Sequence, residues 1–313
     1  MLVLTDLETD KIAHERELDR FFWLDLESPS DEELDDAGKL LGLHPVALED
    51  TREWEQRPKA DTYDNHMLLV FYSARLSAQG AARPLEVHVY VSGSFILTVR
   101  RATCTVLEDL HQELEKEPIH DEGYLVYRIL DTLTDAWFPV VEGIERRIDS
   151  VEDEVLLRAR REQLPTIYRL RQDVRELWRL GQAQREMFRQ ASEAIESLGG
   201  LSHGTHAWFR DVADHLTQVA GELSRQNDDL VALTSTYFNA NADRLNAVAT
   251  RLTVVGTIFV VATIVTGFFG QNFGWLVRHI NSDADFLIFG VGGLVIPIAI
   301  AGTILWVKRR DLF

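Results

Sequence analysis

Gly270 is the last of the 19 uncharged residues that begin at Leu252, and Gly270-Gln271-Asn272 offers the sharpest chemistry in the chain. A helix that ends there leaves carbonyl groups without intrahelical partners, at the negative end of its dipole. The amide oxygen of Asn272 adds to that field. A ring of such ends attracts a hydrated cation, because amides can hydrogen-bond to hydration water without stripping it. This suits an ion such as Mg²⁺, which dehydrates reluctantly. A plain Gly-Asn helix cap is the alternative reading of the same residues. Upstream, Thr253, Thr257, Thr263 and Thr266 either line a polar path or bond back to carbonyls of their own helix.

Other reactive residues read as structural. Asp31, Glu32, Glu33, Asp35 and Asp36 suit a helix N-terminus with a charged face. His203 and His206 are three apart beside Gly199-Gly200, where a turn is expected, and zinc binding is the lesser reading. His215 lies beside an apolar stripe and reads as packed or hydrogen-bonded. Cys104 is the only cysteine, which excludes an intrachain disulfide and a cysteine-based metal cluster. No GxxxxGK[ST] loop, hydrolytic triad or dinucleotide fingerprint is present, so neither an enzyme nor an organic cofactor is expected. A formal charge of −18 disfavours nucleic acid as a partner.

The elements that must position these residues are membrane spans. Residues 252–270 and the 22 residues 286–307 carry no charge. At ~1.5 Å per residue they reach roughly 28 and 33 Å, close to the hydrocarbon thickness of a bilayer. The loop between them, 271–285, is short, so both termini lie on one side. Arg251 abuts the first span, Lys308, Arg309 and Arg310 follow the second, and Arg278 is the loop's only basic residue. The positive-inside rule puts both termini in the cytoplasm of a cell-membrane protein. Residues 251–313 hold five basic and three acidic residues, which leaves 27 and 47 for residues 1–250. The sequence describes a large acidic body on a small membrane hairpin.

That body divides in two. Residues 1–130 read as an N-terminal α/β cytoplasmic domain. Strands are expected at 21–26, 67–76, 85–91 and 94–100, the last two as a hairpin. A helix is expected from the Ser30–Glu33 capping box to Gly42, and another over 103–116, ended by Pro118. Residues 131–250 read as a long-helix stalk. Its last helix, about 205–270, would be roughly 100 Å long. Val212, Leu216, Val219, Leu223, Gln226, Leu230, Leu233, Tyr237, Leu245, Val248 and Leu252 form its stripe, which becomes polar toward the membrane at Thr234, Asn241, Asn246 and Thr250. A helix of that length and pattern associates with copies of itself or antiparallel partners. One hairpin cannot surround water, so a pore lined by the first span needs a symmetric homo-oligomer.

Several segments together resemble the CorA-type divalent cation transporters, the two-transmembrane GxN superfamily. The family's glycine–methionine–asparagine signature appears as Gly270-Gln271-Asn272 within GFFGQNF. The run DRLNAVATRLTVVGTIF (243–259) resembles the family's entry into the membrane. LHPVALED (43–50) with RPK (57–59), SFILTVR (94–100), YRILDTLTD (127–135), PVVEGIERRID (139–149) and FRDVADH (209–215) extend the likeness over nearly the whole chain.

The resemblance implies an α+β/α fold. It comprises an α/β domain, a long-helix funnel and a C-terminal two-helix hairpin with a pore-lining span 252–270, an external loop 271–285 and a lipid-facing span 286–307. It implies a homopentameric channel for passive influx of Mg²⁺ and Co²⁺, with Mg²⁺ both substrate and regulatory ligand. Gly270 and Asn272 would form the selectivity mouth, Asn246 and Thr263 the polar lining, and Leu252 and Val260 hydrophobic gates. Asp211 would be a cytoplasmic metal-sensing residue between subunits, and Lys308, Arg309 and Arg310 a basic ring. The chain departs from the family pattern at Gln271, in Val260-Val261-Ala262 where a proline is expected, and in a loop that opens with Phe273-Gly274. These leave two alternatives: a Zn²⁺ transporter, proton-coupled or not, and a membrane-anchored metal sensor that conducts nothing.

Overall fold

The computed structural model describes residues 2–18, 20–77, 80–117, 119, 121–198, 205–271 and 274–307. Asn272, Lys308, Arg309, Arg310 and His203 lie outside them. The chain forms two compact units, Met1–Leu157 with Arg161–Thr234, and Arg158–Arg160 with Ser235–Phe313.

The first unit is built on a six-stranded mixed sheet. Its strands are β1 (Leu2–Leu4), β2 (Phe22–Glu27), β3 (Lys59–Thr62), β4 (Met67–Leu76), β5 (Ala82–Val91) and β6 (Phe95–Arg100), in the order β1-β2-β6-β5-β4-β3. β1, β2 and β6 run parallel, whereas β6, β5, β4 and β3 are joined antiparallel. The expected hairpin is β5–β6, with Val91 opposite Ile96. β5 starts three residues before the expected Leu85 and runs through Pro84. Proline is tolerated there because β6 pairs only with Val87–Val91, so nothing needs an N–H from Pro84 on that side.

Alternation along the strands separates two cores. Phe22, Leu24, Leu68, Tyr90, Leu97 and Val99 pack with α1 (Thr9–Glu17), α2 (Asp31–Leu41) and α3 (Pro45–Arg52). Trp23, Leu69, Phe71, Val87, Val89 and Ile96 pack under α4 (Thr105–Lys116), α5 (Glu122–Asp135), α7 (Gln163–Glu196) and the first turns of α8 (His206–Phe269). The Ser30–Glu33 capping box is present, and Gly42 ends α2 in the left-handed region at φ 71°. Asp31 and Asp35 lie against Arg52 of α3.

Helix α6 (Trp137–Leu157) completes the helical part of this unit. The pause between α6 and α7 falls at residues 158–162. Pro165 is the third residue of α7, where a missing N–H has no intrahelical acceptor to disappoint. The stripe of α8 is buried from Val212 through Tyr237.

The second unit holds the remainder of α8, then α9 (Gly274–His279), α10 (Asp283–Asp285), a π-helical segment (Phe286–Gly292) and α11 (Gly293–Val307). Two of its helical stretches, ending at Phe268 and Ile304, are long and apolar enough to cross a membrane. The second is π-helical over its first turns, and Pro297 lies inside α11.

Candidate metal centre

YRILDTLTD folds into α5, and its four-residue spacing puts Tyr127, Asp131 and Asp135 on one face. FRDVADH folds into α8, and the same spacing puts Asp211 and His215 on one face. The two faces meet. His215 Nδ1 lies 3.0 Å from Asp135 Oδ1 and 3.3 Å from Asp131 Oδ1, and His215 Nε2 lies 3.8 Å from Asp211 Oδ1. The Tyr127 hydroxyl donates to Asp211 Oδ2 at 3.0 Å. Ligand atoms of Asp131, Asp135 and His215 all fall within 4.8 Å of one another, close enough for one metal ion.

The electrostatics of the cluster favour a cation. Asp131 is buried, and its carboxyl is raised above the ordinary value, first by burial and then by the charge of Asp135. Asp131 Oδ1 and His215 Nδ1 are buried without a hydrogen bond of their own. Such atoms are costly to leave unsatisfied, and a coordinated ion satisfies both. Burial, and next the charge of Asp131, also raises Tyr127, so its hydroxyl stays protonated and serves Asp211 as a donor. The Phe138 ring meets His215 edge-on at 5.5 Å.

Asp211, singled out in the sequence, therefore has two neighbours, Tyr127 and His215, that the sequence reading did not assign to it. The signal was the repeated i, i+4 spacing of polar residues in two segments, which pairs only once the helices are packed. His215 is half-buried among carboxylates. His206 lies 3.2 Å from Glu196 and is otherwise exposed. Cys104 is the buried N-cap residue of α4, its thiol pushed up to about 11, chiefly by burial. A thiol held protonated in this way is an inert one.

The other candidates lie on the C-terminal part of α8. At about 100° per residue, Asn246, Leu252, Val260 and Thr263 fall within an arc of about 120° on an unbroken helix. All four are exposed in the single chain, Leu252 by 72%. The hydroxyls of Thr253, Thr257, Thr263 and Thr266 each donate to the carbonyl four residues back, at 2.8–2.9 Å. Each oxygen is left with lone pairs and can only accept. Gly270 does not take a positive φ, so it is not a left-handed cap; a Cβ there would come within 3.3 Å of the Thr266 carbonyl oxygen. Its own N–H donates to that oxygen at 2.9 Å.

Comparison with known proteins places nearly the whole chain beside one family. The family described as "CorA-like Mg2+ transporter protein" matches residues 19–309. YfjQ of Bacillus subtilis is 27% identical over 299 residues, covering 94% of this chain and 90% of its own. The cobalt/magnesium transport protein CorA of Thermotoga maritima is 27% identical over 255 residues, covering 76% and 69%. Among solved structures, the CorA magnesium transporter of Methanocaldococcus jannaschii superimposes with a TM-score of 0.77 at 22% identity, over 92% of this chain and 90% of that one. That likeness is one of fold: a mixed α/β domain and two long apolar C-terminal helices.

Proposed function

This chain belongs to the family of CorA-like Mg²⁺ transporter proteins, and on that premise we propose that it is a passive divalent cation channel, driven by the membrane potential and carrying Mg²⁺ and Co²⁺ inward. The observation that carries the reading is the make-up of α8. One unbroken helix contributes Asp211 and His215 to a carboxylate cluster and later becomes an uncharged span. A divalent ion entering an inside-negative cell gains roughly 4.6 kcal/mol per 100 mV, so inward flow needs no nucleotide hydrolysis.

In this reading five copies surround a water path with α8 inside and α11 toward lipid, and both termini are cytoplasmic. Gly270 and Asn272 form the outer mouth. Thr263 and Asn246 line the path with acceptors for the outward-pointing hydrogens of an ion's hydration shell. Leu252 and Val260 are constrictions that close by dewetting. Lys308, Arg309 and Arg310 ring the cytoplasmic exit. The cluster of Asp211, Asp131, Asp135 and His215 is the internal sensor. Bound Mg²⁺ offsets the mutual repulsion of its carboxylates and favours closure; its loss loosens neighbouring subunits and opens the path.

Flux into liposomes, measured for Mg²⁺, Co²⁺, Ni²⁺ and Zn²⁺ with and without a pH gradient, tests the reading. Mg²⁺ and Co²⁺ should enter without a proton gradient. Replacing Asn272 with Ala should abolish entry with the oligomer intact, and Asp211→Asn should shift inhibition by internal Mg²⁺ to higher concentration. Entry of Zn²⁺ alone would make this a zinc transporter. Zero flux from the wild type would leave a metal sensor that conducts nothing.

A further inference from the structure

The acidic body contains a cavity edged by arginine. Its volume is about 830 Å³, and it is bounded by residues 54–58, by β4 and β5, and by α7. Arg57, Arg75, Arg83, Arg101 and Arg179 line it, against Glu55, Glu86 and Glu176. Arg83 lies 3.6 Å from Asp173. The other four have no carboxylate within ion-pair distance among the described residues. Arg75 and Arg179 donate to the carbonyls of Thr103 and Arg175, and Arg101 lies over the Trp54 ring, 5.6 Å from its centroid. Arg57 is exposed.

Glu86 forms no ion pair with this set, because its carboxylate is engaged by the wall. Glu86 is buried and accepts from the Glu55 N–H at 2.6 Å, the Gln56 N–H at 3.4 Å and the Tyr72 hydroxyl at 3.0 Å. His88 Nε2 lies 2.9 Å away. These bonds hold Glu55 in the left-handed region at φ 64°, a conformation that costs a non-glycine residue roughly 1 kcal/mol or more. The ion pair of Lys59 with Asp50, at 2.7 Å, fixes the far end of the same segment. A strained turn is thus held in place, and its product is the cavity wall that carries Arg57 and the buried Pro58.

We propose that this cavity binds a soluble polyanion carrying a chain of phosphate groups, of the inorganic polyphosphate or nucleoside triphosphate class. Guanidinium forks match phosphate oxygens two at a time. Arginines gathered without carboxylate partners repel one another, and a polyanion relieves them together where a single small anion reaches only one or two. The volume lies within the usual range of small-molecule sites, and Leu85, Leu180 and Ala183 supply an apolar wall. The site does not depend on the transport reading, because no residue of the cation path takes part.

The test is calorimetric titration of the full-length protein in detergent, in divalent-free buffer, with tripolyphosphate and with ATP. Saturable binding of at least one of them is expected, weakened at least about tenfold in Arg57→Ala/Arg179→Ala with the melting temperature unchanged. If that variant melts early, Arg75→Ala/Arg101→Ala takes its place. No binding up to about 10 mM of either anion, or equal affinity in both double variants, would overturn the proposal. So would binding of short-chain phosphatidylglycerol without binding of tripolyphosphate, since the ligand would then be a lipid headgroup.

Discussion

Burial raises the Asp131 carboxyl above its ordinary value, the charge of Asp135 pushes the same way, and His215 pulls against both. A carboxyl raised in the folded state takes up protons on folding. Stability of the metal-free protein therefore falls as pH rises through the shifted range, where a buried charge develops. A bound divalent ion removes that penalty. The Mg²⁺-dependent rise in melting temperature should thus be present at neutral pH and shrink as pH is lowered through the Asp131 range, where protons compete. Asp131→Asn should stabilise the metal-free protein by about 1 kcal/mol, a few degrees in melting temperature, and should weaken the response to Mg²⁺. Thermal scans with and without Mg²⁺ at several pH values decide this; an undiminished Mg²⁺ response in Asp131→Asn would remove that carboxylate from the proposed sensor.

At the scale of elements, Gln184 shows how α7 holds the sheet. β3 has four residues and pairs only as far as Val70, so Tyr72 lies beyond its reach on that side of β4. Gln184, fully buried on α7, takes over: its Oε1 accepts from the Tyr72 N–H at 2.6 Å and its Nε2 donates to the Tyr72 carbonyl at 2.9 Å. The Trp137 indole N–H donates to the same carbonyl at 2.9 Å. Gln184→Ala should cost about 2–3 kcal/mol, because a buried amide N–H loses its partner, and Gln184→Glu should cost at least as much at neutral pH, because it buries a carboxylate with one oxygen against the Tyr72 carbonyl. Chemical denaturation of the two variants reads the difference. Elements with strong local signals were legible in the sequence: α2 from its capping box and Gly42, β4 from its apolar run, α8 from a stripe without breakers. β1, α1, α3 and β3 were not, because short elements at a sheet edge or on one face draw their stability from packing rather than from a periodic pattern. The metal cluster was half legible. Asp211 stood out by resemblance, but the meeting of His215, one turn further along α8, with Asp131 and Asp135 depends on which faces of α5 and α8 meet.

For the whole molecule, the apolar side chains between Leu252 and Trp306 are the dominant fact. Leu252, Phe259, Val260, Ile264, Ile288, Ile296 and Trp306 are all more than half exposed in a single chain. An aqueous protein does not tolerate such a surface; lipid would cover it, together with further copies of α8 in the proposed assembly. In the proposed pentamer, making the Leu252 ring polar with Leu252→Asn should let water persist there and raise basal flux several-fold at high internal Mg²⁺. Flux indistinguishable from wild type would exclude Leu252 as a constriction. Crosslinking in membranes should end at five chains. The second span carries its own constraint in the π-helical turns over Phe286–Gly292, which seat one residue more than an ordinary helix of the same rise. Removing any one residue there would let those turns tighten into regular helix. Gly293 to Val307 would then keep nearly the same facing and depth, because about six residues of α-helix turn roughly as far as the seven residues of the π-helical segment. The wide turns thus hold one residue in reserve: a single deletion within Phe286–Gly292 should leave the facing of α11 nearly unchanged, whereas the same deletion inside α11 would rotate every later side chain by about 100°.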